Sequence, residues 1–187
     1  MSKIIIGDNT EHERLRIERI LDGKREDYAW FVNTYSQRVL DFTSRMISDT
    51  EDAKEVAQDA FVKAFRSLGT FHFQSSFCTW VCRIAYRESL NCLKRKRLYL
   101  MDIDNVTQDE QPDEDLSTGR EERIALMEDA IDDLPPDERM LLHLYYYDDR
   151  SLRDIAYIMD TEPNTLGTRL HRIRKKLLQI IKQRENE

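Results

Sequence analysis

Between Leu98 and Gly119 the sequence lacks the regularly spaced apolar residues that it shows on either side. From Leu98 to Ser117 it carries seven Asp or Glu residues and no Lys or Arg. A stretch of this composition buries too little apolar surface to fold by itself, which predicts a flexible acidic linker. We therefore predict two small domains, at residues 1–97 and 120–187, joined by a linker at residues 98–119.

In the first segment apolar residues recur at steps of three and four, which is the spacing of an amphipathic helix. Thr10 and Glu13 predict a capping box at the start of one helix, and Gly23 predicts its end. Asp49 predicts the start of another helix, whose apolar face is rich in alanine: Ala53, Val56, Ala57, Ala60, Phe61, Ala64, Phe65 and Leu68. With only five Gly and four Pro in 187 residues, the sequence predicts an all-α fold.

The second segment ends in the pattern of a helix-turn-helix. Ser151 and Asp154 predict the start of a short helix, and Pro163 suits the first turn of a longer one. The apolar stripe of the longer helix leaves Asn164, Thr168, His171 and Arg172 pointing outward, where recognition helices contact base edges in the major groove. Its other cations suit phosphates: Arg169, Arg174, Lys175 and Lys176. The alternative is a solvated basic helix without a DNA role.

A second pattern that suits nucleic acid lies in the first segment. Phe71, His72 and Phe73 lie in a polar setting, and a helix predicted over residues 77–97 follows them. Its region from Arg83 to Arg97 has six Lys or Arg residues and one acid. Aromatic rings beside a basic face can stack on unpaired bases and hold their backbone. The alternative is that the rings belong to the hydrophobic core.

The sequence offers little support for other function classes. The formal net charge is −7, but the cations are concentrated in two patches separated by the acidic tract, as in a DNA binder with other surface roles. Cys78 and Cys82 are four residues apart, but nearby residues do not complete a metal site, so buried thiols are the preferred interpretation. We predict no catalytic residues, no metal, no cofactor, no small-molecule substrate and no membrane insertion, and a cytoplasmic protein.

Four motifs in order give the chain a family resemblance. Residues 53–61, AKEVAQDAF, are similar to A-x-D-x-x-Q-E-x-F, and residues 77–85, FCTWVCRIA, are similar to F-x-T-W-L-x-R-I-A. Leu134-Pro135 and residues 151–156, SLRDIA, match the L-P and L-S-x-x-E-I-A signatures. Residues 164–172, NTLGTRLHR, resemble G-T-V-K-S-R-L-x-R. Together these motifs resemble the extracytoplasmic-function (ECF) sigma factors of bacterial RNA polymerase.

The resemblance implies one protein-binding surface and two DNA-binding surfaces. In the family, the first motif docks on a coiled coil of the largest polymerase subunit, which here implies Asp52, Glu55, Gln58 and Asp59. The second motif and the loop before it capture flipped bases of the −10 element, which implies Phe71, His72, Phe73, Ser75, Phe77, Trp80, Arg83, Arg87, Asn91, Lys94, Arg95 and Arg97. The last helix reads the −35 element, which implies Asn164, Thr165, Thr168, Arg169, His171, Arg172, Lys175 and Lys176.

Two positions depart from the family pattern. Arg87 stands where many members have Asn, and since Arg cannot accept a hydrogen bond, the preferred −10 base is left open. Gly167 stands where members usually have Lys or Arg, which removes a DNA contact. The acidic linker resembles the family segment that threads toward the polymerase active centre, although plain disorder fits its composition equally well.

The sequence therefore predicts a sigma factor that is not itself an enzyme. Its implied partners are core RNA polymerase, promoter DNA and an anti-sigma factor, and we expect a monomer when it is free. A helix-turn-helix repressor or activator is the alternative, but it needs a dimer interface that no heptad or unexplained apolar stripe supplies. An adaptor that sequesters another protein is a third possibility.

The charge distribution generates a first prediction. Because the chain carries a net charge of −7, we expect it to bind promoter duplex weakly without polymerase, and we expect added salt to weaken that binding further. Fluorescence anisotropy of a labelled promoter duplex, titrated with the purified chain at two salt concentrations, measures both effects. A tight, salt-resistant complex with duplex DNA alone would contradict the sigma factor interpretation.

Overall fold

The computed structural model describes residues 6–102 and 119–184, and within these ranges the chain is helical without any strand. Four helices precede the acidic tract: α1 (Ile6–Leu21), α2 (Tyr28–Ser44), α3 (Thr50–Arg66) and α4 (Phe77–Asp102). Four follow it: α5 (Gly119–Asp132), α6 (Pro136–Leu142), α7 (Leu152–Met159) and α8 (Pro163–Arg184). The all-α prediction is therefore confirmed.

The chain divides into two compact units, each of which we describe separately. α4 continues to Asp102, past the boundary predicted at Arg97. Most of the predicted linker, residues 103–118, lies outside the described residues, so the structure does not bear on its predicted role. The domain boundaries at residues 1–97, 98–119 and 120–187 stay a prediction.

Local sequence signals account for most of the helix ends. The Asp49 side chain accepts a hydrogen bond of 2.9 Å from the amide of Asp52, and Ser151 accepts one of 3.1 Å from the amide of Asp154. Pro163 is the first residue of α8, where its missing N–H costs little. Gly23 has a φ of +103° and closes α1, in the left-handed conformation that glycine adopts without a steric penalty.

The capping box predicted at Thr10 is wrong. α1 begins at Ile6, so Thr10 lies inside the helix. The Glu13 side chain is buried and accepts a hydrogen bond from the Tyr35 hydroxyl of α2. Burial and the bond to Glu13 raise the pKa of Tyr35, which keeps its hydroxyl protonated as the donor. Glu13 therefore fastens α1 to α2.

The core of the first unit is built around aromatic rings and a close helix pair. Phe31 of α2 and Phe77 of α4 have no exposed surface, and their ring centroids are 4.3 Å apart. α3 packs on α2 through buried alanines, which allow the two backbones to approach closely. The Tyr28 hydroxyl then donates a 2.7 Å hydrogen bond to the Phe61 carbonyl, and the Thr43 hydroxyl lies 2.9 Å from the Ala53 carbonyl, to which it donates.

The core of the second unit lies under α8. Leu166, Leu170, Ile173 and Leu177 form its buried stripe, as the apolar spacing predicts. α8 packs against α5 and α6. A single π-helical turn, His143–Tyr147, follows α6 and leads toward α7. The stripe fixes the rotation of α8 and so decides which of its side chains face outward.

The buried aromatic core generates a second prediction. Replacing Phe77 by Ala removes a ring with no exposed surface, so we expect a loss of about 3–5 kcal/mol in the free energy of unfolding. Phe73→Ala is the matched control, since that ring is 39% exposed, and we expect a loss of about 1 kcal/mol or less. Both tryptophans, Trp30 and Trp80, lie in the first unit, so their fluorescence during urea unfolding reports on it. Equal losses for the two variants would contradict the assignment.

Candidate functional site

The predicted polymerase-binding residues lie together on α3, opposite its alanine face. Glu55, Gln58 and Asp59 are exposed and Asp52 is half-buried. They share one side of the helix because Ala53, Ala57, Ala60 and Ala64 turn the other side toward α2. The arrangement is an acidic helix face held in a fixed orientation, although the binding role stays a prediction.

A groove beside this face was missed by the sequence analysis. It lies between α2 and α3, has a volume of about 560 Å³ and has a mainly apolar lining. Its lining includes Tyr28, Phe61 and Val62, the last of which is 46% exposed. Gln58 also lines the groove and belongs to the acidic face. Val32 of α2 lines this groove and is half-buried. Spacing along one helix does not reveal a groove made by two helices.

The four aromatic rings predicted for the −10 element lie in different environments. Phe71, Phe77 and Trp80 are buried, with ring centroids 5.0 Å apart for Phe71–Trp80 and 5.9 Å for Phe77–Trp80. Phe73 is 39% exposed and has a φ of +57°, a conformation that is uncommon for a residue with a side chain. Of these four rings, Phe73 is therefore the one that is exposed, and its stacking on an unpaired base stays a prediction.

Two serines of the same loop make local hydrogen bonds. His72 is exposed, and Ser75 is half-buried with its hydroxyl donating to the Ser76 carbonyl at 3.2 Å. Ser76, which was not among the predicted site residues, caps α4 by accepting a 3.1 Å hydrogen bond from the amide of Thr79. A Ser immediately before the first residue of a helix is a recognisable capping signal.

The basic residues of α4 are brought to one side of the helix. Arg83, Arg87, Asn91 and Lys94 follow one another at steps of four, four and three, so they share a face. Arg87, Asn91 and Lys94 are exposed, as are Arg95 and Arg97 nearby, while Arg83 is half-buried. Arg83 and Arg87 both form ion pairs with Asp160, which belongs to the same compact unit, at 2.5 Å and 2.8 Å. A phosphate backbone bound by this face must displace that carboxylate at these two residues.

α8 is the most cationic helix of the described chain, with seven Lys or Arg residues and no acid. Asn164, Thr168, His171 and Lys175 form an exposed stripe opposite the buried leucines, with Arg172 exposed at its edge. Thr165 is exposed, but its hydroxyl donates to the Glu162 carbonyl at 2.7 Å. Most of the predicted −35 residues therefore lie on one accessible face.

Two of the predicted −35 residues lie elsewhere. Arg169 forms an ion pair with Asp137 of α6 at 2.6 Å, and Lys176 forms one with Glu138 at 3.2 Å. Both cations point to the flank of α8 that faces α6. Their contact with phosphates stays a prediction, and in this arrangement they join α8 to α6.

Gly167 lies in α8 with open space around it. A Cβ added there meets nothing within 4 Å, so the departure from the family pattern has no packing reason. Cys78, Cys82 and Cys92 are buried in α4. Among the residues that the structure covers, His, Cys, Asp and Glu form no group of three that suits a metal ion.

None of the helices in the described part of the chain is long and apolar enough to cross a membrane.

Comparison with known families assigns both helical units. The family model described as Sigma-70 region 2 matches residues 31–99, and the one described as Sigma-70, region 4 matches residues 124–177. The first match covers α2 to α4, with the acidic face, the loop and the basic face. The second covers the helix-turn-helix.

Curated relatives and solved structures agree with these matches. The RNA polymerase sigma-H factor of Pseudomonas aeruginosa is 30% identical, over 88% of this chain and 91% of that protein. The ECF RNA polymerase sigma-E factor of Escherichia coli K12 is also 30% identical, over 87% of this chain and 91% of that protein. Among solved structures, the fold resembles the sigma factor RpoE of Bartonella quintana, crystallised with the anti-sigma factor NepR. The TM-score is 0.65 at 21% identity, over 84% of this chain and 98% of that one. The fold also resembles CnrH in complex with the cytosolic domain of CnrY, with a TM-score of 0.61 at 19% identity, over 91% of this chain and 97% of that one.

Because relatives at 30% identity span most of both chains and the two region models fall on its two helical units, this chain belongs to the ECF family of RNA polymerase sigma factors.

Proposed function

We propose that this sigma factor directs transcription initiation through binding energy alone, without enzymatic chemistry of its own. In this proposal it is a cytoplasmic monomer that binds core RNA polymerase through its first unit. The same unit holds unpaired bases of the −10 element, while the second unit binds the −35 duplex. The observation that best supports the proposal is that the residues of the first family motif, Glu55, Gln58 and Asp59, lie on one exposed side of α3 and within the region 2 match.

Docking on the polymerase would use both charge and apolar surface. Glu55 and Asp59 are exposed carboxylates that suit a basic partner surface, and Gln58 stands at the edge of the groove between α2 and α3. Exposed apolar side chains such as Val62 add buried area when a partner helix covers the groove. Charge then sets orientation and association rate, while apolar contact supplies affinity.

Strand separation would follow from several weak contacts acting together. Unstacking a base costs a few kcal/mol, and stacking on an aromatic ring returns about 1–3 kcal/mol per base. Phe73 offers one exposed ring, so the phosphate contacts of the α4 cations and the hold on polymerase must supply the rest. This is the reason that we expect strand opening from the holoenzyme and not from the chain alone.

An anti-sigma factor is the third proposed partner. The solved neighbours RpoE and CnrH are each bound to another protein, NepR and the cytosolic domain of CnrY. A regulator of this kind would block initiation by covering surfaces that polymerase needs. The apolar groove beside Gln58 is one such surface on the first unit.

Run-off transcription with purified core polymerase tests the proposal. Core enzyme with and without this chain is given a library of promoter fragments, and the products are sequenced. We expect start sites that appear only with the chain and that share −10 and −35 sequences. Failure of core enzyme to bind the chain, or to gain initiation from it, would overturn the proposal.

The acidic face generates a third prediction. Asp59→Lys places a cation in the middle of this face, so we expect affinity for core polymerase to fall by tenfold or more, on the order of 2 kcal/mol. Glu26→Lys is the matched control, because it makes the same charge change at an exposed acid outside the face. Fluorescence anisotropy of the labelled chain titrated with core enzyme measures both. Equal losses would indicate a general charge effect and would contradict docking through α3.

The exposed stripe of α8 generates a fourth prediction. Arg172 is exposed at the edge of this stripe, whereas the Arg174 guanidinium lies 3.3 Å from the Tyr146 hydroxyl, to which it donates. We expect Arg172→Ala to reduce initiation from −35-dependent promoters by about tenfold, since a base or phosphate contact contributes about 1–3 kcal/mol. Arg174→Ala should have a smaller effect. Run-off yields from promoters with intact and scrambled −35 sequences separate the two, and the reverse order would contradict this orientation of α8.

A further inference from the structure

The N-terminal helix α1 lies outside the region 2 match, which begins at residue 31, yet it reaches the loop proposed to hold unpaired bases. The Arg14 guanidinium carbon lies over the Phe73 ring, 5.4 Å from its centroid. The Phe73 ring also packs against the Phe71 ring, and their centroids are 4.8 Å apart. The exposed ring of the loop is therefore held by a core aromatic residue and by a cation from α1.

Arg14 is well anchored for such a contact. Its neighbour Glu13 is buried and hydrogen-bonded to Tyr35, and Ile17, one turn further on, has no exposed surface. These contacts fix the rotation of α1 and direct Arg14 toward the loop. The Arg14 Nε also lies 3.3 Å from Glu18, so the planar guanidinium is supported within its own helix.

The loop conformation explains why support is needed. Phe73 has a φ of +57°, which a residue with a side chain adopts only when its surroundings hold it there. A guanidinium over an aromatic ring is attracted to the ring's negative face, and it is weakly hydrated enough to stack. The contact therefore favours the ring position seen here over others that the loop could adopt.

We infer that Arg14 is a positioning residue for base capture, which holds the Phe73 ring in the orientation that receives an unpaired −10 base. This inference rests on the proposed function of the loop. Arg14 acts through Phe73, and it does so from a helix that the region 2 match does not include. Without the Arg14 guanidinium, the Phe73 ring stays partly exposed but is free to rotate. A base that stacks on the ring must then also fix its orientation, which reduces the net free energy of stacking.

The first test needs no DNA. Phe73 is labelled with fluorine on its ring, and the fluorine NMR signal is compared between the native chain, Arg14→Ala and Arg19→Ala. Arg19 is the matched control, because it is an equally exposed arginine of α1 that pairs with Asp27 and contacts no aromatic ring of the loop. We expect the signal to move in Arg14→Ala and to stay in Arg19→Ala. An unchanged signal in Arg14→Ala overturns the inference and leaves the proposed function untouched.

The second test measures base capture by the holoenzyme. The probe is a fluorescein-labelled single-stranded oligonucleotide with the non-template −10 sequence of a promoter found by run-off transcription. We expect Arg14→Ala to weaken its binding about two- to fivefold, the range of an exposed cation–π contact, with unchanged affinity for core polymerase. Arg14→Lys keeps the charge but loses the planar guanidinium, so its affinity for the oligonucleotide should lie between those of the native chain and Arg14→Ala. Arg19→Ala should bind the oligonucleotide like the native chain.

A double-mutant cycle separates positioning from simple charge attraction. If Arg14 acts through the ring, Arg14→Ala should cause no further loss in a Phe73→Ala background. Losses that multiply in the double variant would indicate a direct phosphate contact and overturn the inference. If the native holoenzyme fails to bind the oligonucleotide at all, the proposed role of the loop fails and the inference falls with it.

Discussion

The close packing of α3 on α2 is the contact on which the first unit's surfaces depend. Alanines at the interface let the helices approach until the Tyr28 hydroxyl bonds the Phe61 carbonyl and the Thr43 hydroxyl bonds the Ala53 carbonyl. These two bonds join side chains of α2 to the backbone of α3, so α3 cannot rotate without breaking them. A rotation of α3 would carry Glu55 and Asp59 away from the groove. The same packing thus creates the acidic face, the groove and their mutual orientation.

The aromatic core extends this control to the loop before α4. Phe77 joins Phe31 at the centre of the unit, and Phe71 packs on Trp80, so both ends of the loop are fixed by buried rings. Phe73 lies between these anchors and remains partly exposed. A loop that is rigid at both ends loses little conformational entropy when a base stacks on it. Buried rings that touch no DNA therefore still affect how well the exposed ring performs.

Sequence spacing predicted the inward faces of the helices well but not their outward contacts. Most of the apolar residues predicted for α3 and α8 are buried, because the 3.6-residue period reports directly on burial. Phe65 is an exception, since it is half-buried and lines the groove. The capping box at Thr10 failed because Glu13 found a partner in α2, far away in sequence. The groove beside Gln58 and the contact of Arg14 with Phe73 were missed for the same reason. Each depends on which helix lies alongside, and periodicity within one segment holds no information about that.

The ion pairs of α8 separate its cations into those that contact α6 and those that remain available to bind DNA. A partly exposed ion pair contributes only about 0–1 kcal/mol to stability, so Arg169 and Lys176 hold α6 weakly. These ion pairs also lower the contribution of Arg169 and Lys176 to DNA affinity. A cation already neutralised by Asp137 or Glu138 releases fewer counterions when it binds a phosphate. A phosphate must also displace the carboxylate. Arg172 and Lys175 form no ion pair among the described residues, and Arg174 is bonded only to the uncharged Tyr146 hydroxyl, so the salt dependence of −35 binding should come mainly from these three cations.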